Sequence, residues 1–523
     1  MSREAIDKLV HSARELLEAK DYLGARELYT QGLKLDPFDA TLWNYRSNVH
    51  MKLQHPELAF TDAARGLKLL DDKLAQTNLS LPDRNFSVFM KIDLLFSCLL
   101  AAENLNICET ALQFIDRLLT NSHLLSNEAR QTILSKQKSL KRKIKAQRHA
   151  FVVANDSLRI NLHDALDLGT MRMPKYSWNE FEPFNSENDI ETQLNEINIM
   201  LEPIAPKLLV VRMPDNPTHF DFNKVPGASS SEASRPQLGI IAREKITRKE
   251  KILDEPGIFI NNGLYGPKCN YCNNIVSASK EKPVDIDKTA CAKCEERFCS
   301  VQCCELALKT YHQAICGRDI SEIMEYVARG RTCSSLLHLF AFRVLAMAVQ
   351  SNKHPLEMSV VKYLSAGTKQ NVPWNIYYSY LLYLSMLKTL GLCQYRDIDK
   401  FDFWVYYTLQ NKLQCNVFGE YKAPQQPENG KLLIFNSFLN HSCAPNAVYF
   451  KDRHAHQVVV ACEDIEKYQQ VFISYIDPNC PVSKRQQLFE GTFGFTCACE
   501  RCVHEIGAAN GKEIRKQTSR SKK

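Results

Sequence analysis

No stretch of this 523-residue chain runs for about eighteen residues without a polar side chain, the length a membrane-crossing helix needs. The longest apolar runs, IDLLFSCLLAA (92–102) and LLHLFAFRVLAMAV (336–349), fall short, and His338 and Arg343 interrupt the second. Both read as buried helices, so no membrane span is expected. The opening MSREAIDKLV is polar and lacks the apolar core of a secretory signal. An excess of one charge is also missing. Lys and Arg number 66 against 59 Asp and Glu, a formal net of +7, which admits an acidic partner. Nucleic-acid binding would need those charges clustered on one face. Cysteine is scarce in the first half, where positions 1–268 hold only Cys98 and Cys108. The chain has nineteen cysteines in all, and without a secretory signal they point to thiols and metal, not to a disulfide framework.

What is present divides into regions, and the length suggests about three domains. The first 150 residues have helical periodicity and an internal repeat. GLKL occurs at 32–35 and again at 66–69, and Ala25 and Ala59 share the same interval of thirty-four residues. That is the tetratricopeptide period, and Ala25, Tyr29, Gly32 and Pro37 fall where this helix–turn–helix pattern wants small, aromatic, small and proline residues. Trp43 begins the next unit's apolar face. An unrelated helical bundle is the alternative. Either reading makes the region a binder of protein. It ends in the basic run KSLKRKIKAQR (138–148), which reads as a solvated helix face or as a nuclear-localisation or nucleic-acid patch. Residues 151–236 form a connection ending in the linker VPGASSSEASRPQ (225–237). Beyond it, β-branched runs separated by polar turns read as strands at 238–260 and again from 431 (KLLIF, NAVYF, HQVVVA, QQVFISYI), while 318–413 reads as helix. The expected fold class is α+β, with several domains and a strand-rich core interrupted by a cysteine-rich and a helical insertion.

The cysteine-rich insertion reads Cys269-x2-Cys272, Cys291-x2-Cys294, Cys299-x3-Cys303 and His312-x3-Cys316. Seven thiols and one imidazole make two closed tetrahedral sites, the pattern of structural zinc. So short a segment, with few large apolar side chains, depends on metal for its folding free energy. Cys304 is left over. The spacing, with Phe298 before Cys299 and Gln302 and His312 after it, resembles a MYND zinc finger. The resemblance implies interleaved sites: Cys269, Cys272, Cys299 and Cys303 on one zinc, Cys291, Cys294, His312 and Cys316 on the other. Charges across the finger nearly balance, which favours a protein partner over DNA.

Downstream, FLNHSCAPN (438–446) sets histidine, serine and cysteine side by side and raises the question of a nucleophile. Two later segments answer it. VFISYID (471–477) reads as a strand ending in tyrosine and aspartate, and FGFTCACERC (493–502) offers Cys497, Cys499 and Cys502. Three thiolates leave a zinc one ligand short, and Cys443, on a turn after a strand, is the expected fourth.

Asn-His-Ser-Cys-x-Pro-Asn, then a Ser-Tyr-Ile-Asp strand and a three-cysteine tail, resembles the SET domain of protein lysine methyltransferases. A MYND finger inserted in it resembles the SET-and-MYND (SMYD) family, and repeats placed before the SET domain resemble that family's fourth branch. The implied arrangement is tetratricopeptide-like helices (1–150), the connection (151–236), a split SET domain (237–478) holding the finger (269–316) and the helical insert (318–413), then a post-SET zinc segment and basic tail (479–523). The resemblance implies S-adenosylmethionine as cofactor, contacted by Asn440, His441, Tyr475, Phe495, Asn416, Leu238 and Gly239, with Tyr475 the catalytic hydroxyl and three structural zinc ions. It implies lysines of histone or non-histone proteins as substrates, further protein partners through finger and repeats, no nucleic acid as primary ligand, a monomer, and a cytoplasmic and nuclear location. Two stretches depart from the pattern. The usual Gly-x-Gly turn reads Pro236, Gln237, Leu238, Gly239 and Ile240, where only Gly239 survives, and the usual Gly-Glu-Glu turn reads Tyr468, Gln469 and Gln470. A weakly active or inactive interaction scaffold is therefore the alternative to an active enzyme.

Overall fold

The computed structural model describes residues 3–154, 167–171, 175–213, 237–261, 268–276, 289–294, 296–330, 333–366, 372–423, 426–451, 456–493 and 495–508. Residues 225–236 of the expected linker and the tail RKQTSRSKK (515–523) lie outside them. The chain forms two compact units. One comprises 1–179, 318–326 and 369–408, and the other 180–317, 327–368 and 409–523. The helical stretch expected at 318–413 is thus shared between the units, and it contains a short strand, Val372–Trp374.

The first unit begins with seven helices: α1 (Arg3–Glu18), α2 (Tyr22–Leu35), α3 (Ala40–Lys52), α4 (Pro56–Leu74), α5 (Leu81–Leu105), α6 (Cys108–Thr120) and α7 (Asn127–Ala154). Their starts follow ordinary capping chemistry. The Asp21 carboxylate accepts from Gly24 N–H at 2.9 Å, the Asp39 carboxylate accepts from Thr41 N–H at 2.8 Å, and Pro56 occupies the first turn of α4, where no amide is needed. The repeated GLKL falls on α2 and α4. A Cβ on Gly32 would stand 3.3 Å from Leu42, and one on Gly66 would stand 3.0 Å from Leu94 and 3.2 Å from the Ala40 carbonyl. These glycines, with the buried Ala25 and Ala59, let successive helices approach closely. Helix α5 is long and apolar enough, by length and composition, to cross a membrane. Its C-terminal half instead buries Ile92, Leu94, Leu95, Cys98 and Leu99 against its helical neighbours, as a core helix does.

At the centre of this unit lies a fully buried ionic group. Arg46 clamps Asp62 through two hydrogen bonds of 2.7 and 2.8 Å and reaches Asp402 at 3.1 Å. Arg65 meets Asp402 at 2.8 Å and Asp62 at 3.2 Å. Both guanidinium carbons stand 4.9 Å from the ring centre of the buried Trp43. Burial opposes ionisation of Asp62, but Arg46 beside it holds the carboxyl far below the usual range. Asp402 thus ties residues 369–408 to the N-terminal helices. A second tie is Asp167, whose carboxylate accepts from the Glu109 and Thr110 amides at 3.0 and 3.2 Å and so caps α6. The neighbouring strand Gly169–Met171 pairs antiparallel with Val372–Trp374.

In the second unit, Lys251–Pro256, His456–Ala461 and Ala447–Lys451 form one antiparallel sheet. Ile258–Asn261, Gln426–Leu432 and Val417–Ala423 form another, and Leu208–Arg212 pairs with Leu238–Ala242. Ile240, Leu253 and Val459 from the first and third of these share one core with Leu439 and Ile473, and Phe418 packs against it. Two expected strands are shorter than their apolar patterns. KLLIF leaves the sheet after Leu432, and VFISYID contributes only Phe472–Ile473. The reason in the second case is a turn in which Ser474 Oγ donates to the Ile476 carbonyl at 2.7 Å.

Asp402→Ala leaves Arg46 and Arg65 buried with half their counter-charge. The expected loss is about 3–5 kcal/mol from the first unit, read as a lowered denaturant midpoint followed by far-UV circular dichroism. A loss below about 1 kcal/mol, the value of an exposed pair, would contradict a supporting role for this buried group.

Candidate active site and metal centres

Three groups of ligand atoms converge. Cys269, Cys272, Cys299 and Cys303 form one, Cys291, Cys294, His312 and Cys316 a second, and Cys443, Cys497, Cys499 and Cys502 a third, with the atoms of each within 4.8 Å of one another. All of these cysteines are free thiols. Sulfur–sulfur separations of 3.2, 3.5 and 3.6 Å approach the edge of about 3.8 Å that a tetrahedron of zinc–sulfur bonds near 2.3 Å requires. His312 enters through Nε2, 3.3 Å from Cys294 Sγ. The residues fit zinc in number, type and spacing, and Cys304 stands outside all three groups.

Local chemistry explains the first two groups. Each Cys-x2-Cys is a turn closed by a single β-bridge, Lys268 with Ile275 and Ala290 with Arg297. Asn273 takes the left-handed conformation that the first turn needs, at φ 67°. Phe298, fully buried, meets the His312 ring edge-on at 5.6 Å. Arg343, on the helix Cys333–Ser351, stacks 3.5 Å over Tyr311, and both donate to Asn270. The finger is fastened to that helix by a buried cation.

The third group is continuous with the NHSC stretch. Asn440 and His441 pair in parallel with Phe472 and Ile473. His441 Nδ1 accepts the Tyr475 amide at 3.0 Å, so Nε2 carries the proton and points at Cys443 Sγ, 3.2 Å away. Burial keeps this imidazole neutral, its pKa pushed down to about 4. Arg485, itself buried, lies 3.5 Å from Cys502 Sγ and bonds Glu505 at 2.7 Å. Arg501 donates to the Cys443 carbonyl at 2.9 Å. Arg485 and Arg501, both paired with Glu505, thus set positive charge beside the four thiols.

Around Tyr475, the phenol donates to the Leu439 carbonyl at 2.7 Å. Burial, and then the nearby Tyr449, pushes its pKa well above the usual phenol value. The ring meets Phe493 at 5.4 Å, and Phe489 joins Phe493, Phe495 and His441 in one aromatic cluster packed on the cysteines. Asn440 Nδ2 donates to the Leu238 carbonyl at 3.1 Å. A Cβ on Gly239 would stand 2.6 Å from Gln470, 2.8 Å from Met213 and 2.9 Å from Asn440, so these side chains would have to shift to admit one. Leu238, Gly239, Asn440, His441, Tyr475 and Phe495 are therefore brought together through direct contacts and one shared aromatic cluster. Asn416 is engaged elsewhere, its amide donating to the Ser365 and Lys412 carbonyls at 2.9 and 2.7 Å.

Sequence reasoning passed over several residues that shape this site. Asn446, the last letter of NHSCAPN, donates to the Gln470 carbonyl and accepts the Phe472 amide, both at 2.8 Å, which fixes the strand before Tyr475. The buried Glu255 carboxylate accepts from Phe435 N–H, Asn436 N–H and Asn436 Nδ2 at 2.7–2.9 Å and anchors the turn leading into Asn440. The motif flagged Asn446, whereas Glu255 and Arg485 had no local signal. The altered Gly-Glu-Glu turn keeps a glycine-like backbone, because Tyr468 adopts φ 68° while its side chain stays exposed.

Comparison with known proteins agrees with this geometry. A SET domain model matches residues 237–476, which defines the class. The SET and MYND domain-containing protein DDB_G0292454 of Dictyostelium discoideum is 27% identical over 276 residues, covering 50% of this chain and 77% of that protein. Histone-lysine N-methyltransferase ATXR2 of Arabidopsis thaliana is 43% identical over 72 residues, 13% of this chain and 15% of that one. Histone-lysine N-methyltransferase SET5 of Mycosarcoma maydis is 23% identical over 304 residues, 46% and 59%. The chain thus spans less than two thirds of those two methyltransferases. A solved structure, the first TPR of Spaghetti (RPAP3) bound to an HSP90 peptide, is 16% identical and covers 27% of this chain and 99% of that one, but its TM-score of 0.22 carries no argument. The chain thus carries a SET domain and is similar to SET and MYND domain-containing proteins.

Cys443→Ser is expected to remove one zinc ion per chain, measured by metal analysis after gel filtration, and to loosen the aromatic cluster. Unchanged zinc content would show that Cys443 is not a ligand. Tyr468→Gly relieves a left-handed backbone at an exposed side chain and is expected to raise stability by about 1 kcal/mol. A lower melting temperature would mean that the Tyr468 side chain contributes more than its conformation costs.

Proposed function

We propose that the protein is an S-adenosylmethionine-dependent protein-lysine N-methyltransferase, with Tyr475 as its catalytic hydroxyl. The observation that carries this reading is the Tyr475 phenol, proton committed to the Leu439 carbonyl, at the junction of Asn440, His441 and the aromatic cluster. When bound, S-adenosylmethionine supplies a methyl group already electrophilic on its sulfonium. The chain's residues then have three tasks. Leu238, Gly239 and Asn440 offer backbone and amide groups side by side, which suits hydrogen bonding to a cofactor. His441 acts through position, since its ring joins Tyr475 to the Cys443 cluster.

Tyr475 has a phenol too weakly acidic to serve as a phenolate base. Its remaining lone pairs orient the reacting groups and offset developing charge. Aromatic walls from Phe493 and Phe495 desolvate the substrate ammonium and lower its pKa toward the neutral, nucleophilic amine. No covalent enzyme intermediate is needed, so Cys443 serves metal and not catalysis. On the same reading the three cysteine groups hold structural zinc. The N-terminal helices are tetratricopeptide-like, as in the family's fourth branch, and recruit protein partners together with the finger. Substrates are histone or non-histone lysines, and the protein acts as a monomer in cytoplasm and nucleus.

The altered Gly-Glu-Glu turn favours a second reading, a scaffold with little turnover. Calorimetry of the zinc-replete protein with S-adenosylmethionine separates the two, and no measurable binding ends the enzyme reading. Given binding, Tyr475→Phe is expected to cut tritiated-methyl transfer to extract proteins by about a hundredfold while affinity for S-adenosylmethionine stays within about threefold. Equal labelling by wild type and variant would remove Tyr475 from catalysis.

A further inference from the structure

Helix α7 carries eight lysines and arginines against a single glutamate, an excess of seven that equals the net charge of the whole chain. The rest of the sequence, the basic tail 515–523 included, sums to no net charge. That helix is also sparsely packed. Its buried apolar side chains, among those described, are Ile133, Leu140 and Ile144. On one flank, Lys136 is paired with Glu103, and Lys143 donates to Asn106.

The other flank is different. A groove of about 390 Å3 runs between α6 and α7, lined by Glu109, Leu112, Gln113 and Asp116 from one and by Lys141, Ile144, Lys145 and Arg148 from the other. Both sets follow the i, i+3, i+4, i+7 spacing of a single helix face. Its acids are already engaged. Arg148 bonds Glu109 at 2.8 Å at one end, and Gln137 donates to Asp116 at 2.9 Å toward the other. Between these struts lie the apolar side chains of Leu112 and Ile144. Lys141 and Lys145 are exposed and have no ion-pair partner among the described residues.

We propose that this groove docks an acidic peptide segment carrying an apolar anchor. The anchor enters between Leu112 and Ile144, and two carboxylates meet Lys141 and Lys145, whose positions are about 6 Å apart along the helix. Charge complementarity selects the acidic segment, and the apolar floor selects a peptide over a nucleic acid. Phosphate contacts gain nothing from Leu112 and Ile144, and the space admits a few side chains but no duplex.

The test is fluorescence anisotropy with the full-length protein and three labelled probes: a glutamate- and aspartate-rich peptide with one central leucine, the same peptide with serine for leucine, and a DNA duplex of matched charge. The leucine peptide is expected to bind, the serine peptide about tenfold more weakly. Lys141→Glu with Lys145→Glu is expected to weaken the leucine peptide at least tenfold. Lys141→Ala with Lys145→Ala should give a smaller loss in the same direction, and melting curves establish that each variant is folded. No binding of the leucine peptide, equal binding of both peptides, indifference of folded variants, or tighter binding of the duplex would each overturn the proposal.

Discussion

Cys443 belongs to two structures at once. It stands two residues after His441, in the stretch that pairs with Phe472 and Ile473, and it closes a four-thiol group with the tail at 497–502. The His441 ring spans the gap, accepting the Tyr475 amide on one nitrogen and directing the other at Cys443 Sγ. The His441 ring thus links the Tyr475 backbone to that four-thiol group. Phe489, Phe493 and Phe495 pack on it from the tail side, Arg485 reaches Cys502 Sγ, and Arg501 holds the Cys443 carbonyl.

The site's polar groups follow the same economy. A neutral imidazole, a phenol with its proton committed, a buried carboxylate bound by three N–H donors and an asparagine bridging two backbone segments leave little rotational freedom near Tyr475. Such a centre suits a reaction that depends on alignment more than on proton transfer by the protein. The helical unit reaches rigidity differently, through two buried arginines and two buried aspartates enclosed by Trp43.

Much of this was legible in the sequence because spacing carries it. Two residues between thiols fix a metal-binding turn, and thirty-four residues between equivalent alanines and glycines fix successive helix pairs. The twelve side chains that converge in three groups were named from such intervals together with a family resemblance. Apolar pattern overstated the strands at 431–435 and 471–477, because the chain turns away from the sheet where side-chain hydrogen bonds at Glu255 and Ser474 outcompete the ladder. Asn416 matched a motif by letter, yet its amide caps its own helix end.

By itself the sequence determined the helical array, the two-knuckle finger, the three-thiol tail and the tyrosine after NHSC, all of which are encoded within short windows. Only the tertiary structure decided that Asp402 completes a buried ion group with residues some 340 positions earlier, that Glu255 holds the turn before Asn440, and that Arg485 faces the third thiol group. It also decided that Lys136 and Arg148 of α7 find acidic partners while Lys141 and Lys145, among the described residues, do not. Charge pairing depends on distance in space, and neither helical nor strand period encodes which distant segment brings the partner.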